Sequence, residues 1–68
     1  MITAEEIVAG CNELAREFYK MRGYEVQKNY KFYEAHHPEE IGCWAMAVVA
    51  YDRIQGTDVE SALDDMQD

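Results

Sequence analysis

The sequence predicts an all-α fold: a single small helical domain over residues 1–68, with helices at about 4–22, 38–55 and 58–66 and an irregular or short-helical segment at 24–35. Three observations carry this expectation. Apolar residues recur at steps of three and four along the first third of the chain, a proline after His37 opens a long apolar run, and Gly56 followed by "TDVE" restarts a helix near the end. With 68 residues the chain lies near the size at which one core supplies only a few kcal/mol of net stability.

The first helix begins at a capping box, Thr3 with Glu6, flanked by Ile2 and Ile7 as a hydrophobic staple. Glu5 and Glu6 face the positive end of the helix dipole, and Arg16, Lys20 and Arg22 load its other end before Gly23. Ile7, Cys11, Leu14, Phe18 and Met21 form the expected apolar seam. In the following segment, "YEVQKNYKFYEA", the apolar residues fit neither period cleanly, and a strand there would have no obvious partner. The second helix takes His37 as N-cap and Pro38 as N1, where the missing N–H costs nothing, with Glu39 and Glu40 behind them. Every residue from Cys43 to Tyr51 is apolar, so this helix is expected to be the central element, with Trp44 mostly buried and Gly42 allowing a close approach at Gly10. The third helix reads as a second capping box, Thr57 with Glu60, carrying a stripe of Val59, Ala62, Leu63 and Met66.

The net charge of −8 is unevenly spread. In residues 1–31 the five acids Glu5, Glu6, Glu13, Glu17 and Glu25 balance Arg16, Lys20, Arg22, Lys28 and Lys31, whereas residues 32–68 hold nine acids against Arg53 alone. Such a field repels nucleic acid and anionic membrane and favours a basic protein surface, because one-sided acid can imitate a phosphate backbone. The start of the chain has no basic region leading into an apolar one, and no run approaches the ~18 apolar residues of a membrane span, so a cytoplasmic protein with free Cys11 and Cys43 thiols is expected.

Chemical signatures are sparse. His36, His37, Cys11 and Cys43 include metal-type ligands but lack the close pairs a zinc site uses, so no metal and no cofactor is expected. Cys43 sits in an apolar run beside two glutamates, a setting that disfavours a thiolate nucleophile, and no catalytic constellation is expected. The expected partner-binding residues are instead an acidic face of Glu39, Glu40, Asp58, Glu60, Asp64 and Asp65, and an aromatic patch of Tyr24, Tyr30 and Tyr33. The apolar share of 49% also suggests surplus surface that a homodimer would cover.

In its overall style, "TAEEIVAGCNELAREFYKMRGY" followed by "HPEEIGCWAMAVVAYDRI" and "GTDVESALDDMQD" resembles the small acidic accessory proteins encoded by bacteriophages. That resemblance implies a stoichiometric inhibitor or adaptor, without catalysis, acting on a larger protein inside the bacterial host cell. The alternative reading is a self-assembling structural or regulatory helical protein.

Overall fold

Thr3 starts the first helix as the sequence predicts. Its hydroxyl accepts from the Glu6 N–H at 3.2 Å, and the Glu6 carboxylate accepts from the Thr3 N–H at 3.3 Å, so two donors at the helix start are satisfied reciprocally. In the computed structural model, which describes residues 2–66, the order is α1 (Ala4–Met21), a 3-10 turn (Phe32–Glu34), α2 (Pro38–Gln55) and α3 (Val59–Met66). Three helices with no strand among the described residues make this the expected small all-α domain.

α1 closes in a Schellman arrangement. Gly23 takes φ +92°, its N–H donates to the Lys20 carbonyl at 2.9 Å, and the Tyr24 N–H donates to that of Tyr19 at 3.4 Å. The chain then crosses without regular structure to the 3-10 turn, which buries Phe32. α2 opens at His37 and Pro38 as expected, although the His37 side chain makes no capping bond. Tyr19 of α1 meets Glu40 at one end of α2, and Gly10 meets Tyr51 near the other, so the two 18-residue helices run antiparallel.

The central element is α1. It packs against both α2 and α3, which touch each other only slightly, and the core gathers Cys11, Ala15, Tyr19, Phe32, Cys43, Ala47 and Val59. α2 lies on the outside: only Cys43 and Ala47 are buried, and Val49 is 63% and Ile54 76% exposed. The all-apolar run that marked α2 as central therefore misleads, since four of its nine residues from 43 to 51 are alanine or cysteine and bury little area each. Trp44 is half-buried with its ring tilted over Tyr33 at 5.6 Å.

The buried row of α1 is also turned from the expected seam. Val8, Cys11, Asn12, Ala15 and Tyr19 are buried, Ile7, Leu14 and Phe18 only flank the core, and Met21 is 80% exposed. The segment at 30–32 lies over Asn12 and Tyr19, and that covering layer turns polar and small positions inward.

At the α2–α3 corner Gly56 sits in the left-handed region at φ +68°, and its N–H donates to the Asp52 carbonyl at 2.8 Å. The expected Thr57–Glu60 box does not form. The Thr57 hydroxyl and the Val59 N–H both donate to Asp52 Oδ1 at 3.0 Å, and Asp58 Oδ1 accepts from the Ser61 N–H at 3.1 Å, so the cap shifts one residue to Asp58. The close approach at Gly10 exists, but its neighbour is Tyr51. A Cβ at Gly10 would stand 2.6 Å from the Tyr51 hydroxyl, whereas a Cβ at Gly42 would meet nothing within 4 Å.

Candidate partner-binding surfaces

Two of the six acidic candidates, Glu39 and Glu40, and two of the three aromatic ones, Tyr24 and Tyr30, meet at one corner. There α1 ends, the crossing segment passes and α2 begins. Tyr30 donates its hydroxyl to Glu40 Oε1 at 2.6 Å, and Tyr19 approaches Oε2 of the same carboxylate at 3.4 Å. Tyr24 stacks on Tyr19 with ring centroids 4.8 Å apart, and Tyr30 packs edge-on against Phe32 at 5.1 Å. The phenols feel these carboxylates. Hydrogen bonding to Glu40 and partial desolvation push Tyr30 up to about 12 from its ordinary 10.0. Burial followed by the Glu40 charge raises Tyr19, and hydrogen bonding to Glu39 raises Tyr24.

Glu40 is therefore a half-buried acceptor that ties three segments together, while Glu39 beside it faces solvent. Tyr33 departs from the other two tyrosines to pack on Trp44. Tyr24, 41% exposed, is the member of the aromatic set that presents most of its ring to a partner.

The remaining acids stand elsewhere. From Glu40 to Gln55, α2 rises about 22 Å at 1.5 Å per residue, so Glu39 and Glu40 lie at the opposite end of α2 from the start of α3. Asp58, Glu60, Asp64 and Asp65 are all exposed on or beside α3. Asp68, the last acid of the run, lies outside the described residues. The one ion pair among the described residues is Arg16 with Glu13, at 3.8 Å in the balanced half of the chain, so no described base pairs with the α3 acids.

Two residues that sequence reasoning passed over organise these surfaces. Asn12, buried in the middle of α1, donates from Nδ2 to the Tyr30 carbonyl and accepts at Oδ1 from the Phe32 N–H, both at 2.7 Å. An asparagine in mid-helix, one position from an apolar seam, is the signal that would have found it, because asparagine is disfavoured there without a partner. Asp52 stands in the last turn of α2, where the dipole disfavours an acid, and that misplacement is its signal. Its carboxylate serves the amide at the start of α3 instead.

His36 and His37 are both exposed, and no three His, Cys, Asp or Glu side chains among the described residues gather into a metal-holding group. Both cysteines are free and buried, and burial followed by the Asp52 charge pushes the Cys11 thiol up to about 12. An open groove of about 640 Å³ has Glu5 and Glu13 on its helix side and Lys28 and Lys31 on its loop side, a mixed charge that selects no one ligand class. No helix among the described residues is long and apolar enough to cross a membrane.

No protein-family model, curated protein or solved structure matches the chain at a significant level.

Proposed function

We propose that this chain is a stoichiometric protein-binding module, of the inhibitor or adaptor kind, that engages a basic surface on a larger protein through its acidic second half. The observation that carries the reading is the face of α3. Asp58, Glu60, Asp64 and Asp65 project from eight residues of helix and its cap with no base paired to them among the described residues. Unpaired acids on a short docked helix steer association with a cationic groove and repel nucleic acid and anionic lipid. Glu39 and Tyr24 form a second, smaller contact area at the far end of α2, with Tyr19, Glu40 and Tyr30 bonded to one another beside it, while Tyr33 is taken up by Trp44.

Capture from bacterial lysate on the immobilised protein, eluted by a salt gradient, tests this. One partner retained at low salt, released steeply as salt rises and lost with Asp64→Lys and Asp65→Lys is expected. Retention that is indifferent to salt and to both charge reversals would overturn the reading.

A further inference from the structure

α2 presents one stripe of side chains along its outer side, and the two charges at the ends of that stripe stand at equal distances from its middle residue. Glu39, Gly42, Met46, Val49 and Arg53 follow at steps of three, four, three and four, the spacing that keeps one helix face against another helix. Of these, Met46 is 43% and Val49 63% exposed, and Glu39 and Arg53 face solvent. Arg53 is the single base of the acidic half and has no acid paired with it among the described residues. Glu39 and Arg53 stand seven residues either side of Met46, which is about 10.5 Å along the axis in each direction.

From this symmetry we infer that α2 packs antiparallel against α2 of a second copy, with Met46 on the two-fold axis. A closed two-fold contact is isologous, so each residue displaced from the axis meets its mirror position on the partner helix. Two ion pairs follow, Glu39 with Arg53 across the interface in each direction. The apolar middle fits the same register. Gly42 has open space above it, and its mirror position on the opposing helix is Ala50, so two small residues meet there and the backbones approach closely between the charged ends.

The charge pattern selects a second copy over an unrelated apolar partner, because the stripe carries both halves of its own ion pair. The contact leaves α3 outside the helix pair, so the dimer is bivalent and presents two acidic faces. It leaves the α3 face free for the partner proposed above and takes up only Glu39 of the smaller contact area at the start of α2. A single helix pair buries on the order of 1,000 Å², the low end for specific contacts, so dissociation in the micromolar range is expected.

Sedimentation equilibrium across a thousandfold concentration range reads the result. The native chain is expected to pass from 7.9 kDa to twice that mass. Arg53→Glu and Glu39→Arg should each weaken the dimer about tenfold or more by opposing like charges, and the double reversal should return to within about threefold of native. Both side chains are exposed, and far-UV circular dichroism establishes that each variant keeps its helices. A second measurement avoids the charges: Met46→Cys should form an intermolecular disulfide under mild oxidation, since Cys11 and Cys43 are buried, whereas a cysteine at Glu60 on α3 should not. A monomer at every concentration would overturn the inference, as would single reversals that leave the dimer intact or a double reversal that fails to restore it.

Discussion

Replacing Asn12 by alanine removes one side-chain amide and strands two backbone groups. The Tyr30 carbonyl and the Phe32 N–H each lose a 2.7 Å partner, and Phe32 is 1% exposed, so water cannot take over at its amide. A net hydrogen bond contributes about 1 kcal/mol, and an unsatisfied buried donor costs a further 1–3 kcal/mol, which puts Asn12→Ala at roughly 2–4 kcal/mol of lost stability. For a domain of this size that is a fall of about 10–30 °C in Tm, and most of the roughly 3–5 kcal/mol such a core supplies. Urea unfolding followed by Trp44 fluorescence and far-UV circular dichroism measures it. Asn12→Asp supplies the control: an ionised carboxylate can accept from the Phe32 N–H but repels the Tyr30 carbonyl, while the protonated acid satisfies both. Burial and that carbonyl raise the folded pKa of the new carboxyl, so its stabilising contribution is complete below the unfolded value of about 3.9 and is lost as pH rises through the folded value. Asn12→Asp should therefore approach native stability near pH 4 and fall well short of it at pH 7. An Asn12→Ala protein within about 0.5 kcal/mol of native would refute the pin.

Three further outcomes follow from the packing. Gly10→Ala should destabilise the native chain by about 1 kcal/mol or more, since its Cβ would stand 2.6 Å from the Tyr51 hydroxyl. In a Tyr51→Ala background the same change should stabilise by up to about 1 kcal/mol through helix propensity, and equal effects in the two backgrounds would show that the contact is unimportant. Asp52→Ala removes the acceptor shared by the Thr57 hydroxyl and the Val59 N–H, so it should cost about 0.5–2 kcal/mol and speed amide exchange over Val59–Met66 before the rest of the chain; uniform acceleration would count against a local cap. Cys11 and Tyr30 both have folded pKa values raised to about 12, from 9.0 and 10.0. Their neutral forms stabilise the fold fully below pH 9, and that stability drains as pH rises from 9 towards 12. Thermal midpoints should accordingly fall above pH 9, less steeply in Tyr30→Phe, and a flat profile to pH 11 would contradict the raised values.

Local signals were legible wherever the controlling partner lies within a few residues. The Thr3 box, Gly23, Pro38 and Gly56 mark helix ends through backbone groups three or four positions away, and the three helices stand where those signals put them. At the start of α3 the same reasoning misplaced the cap by one residue, because the Thr57 hydroxyl was drawn to Asp52 in the preceding helix. The α1 seam was misjudged for a related cause: hydropathy favoured Leu14 and Met21, while the covering segment at 30–32 selected Asn12 and Tyr19.

The candidate surfaces divide along the same line. That the second half carries unpaired acid follows from composition and survives any arrangement of the helices. That Glu40 is tied up by Tyr19 and Tyr30, while Tyr33 goes to Trp44, depends on which turns of α1 and α2 stand opposite each other.

The amino-acid order alone determined the helices, their ends and the charge asymmetry, since each rests on hydrogen bonds or charges close in sequence. Tertiary structure decided which helix is central. An all-apolar helix has no preferred side of its own, so only the competition between α3, the crossing segment and α2 for the surface of α1 chose which face of α2 was left to solvent.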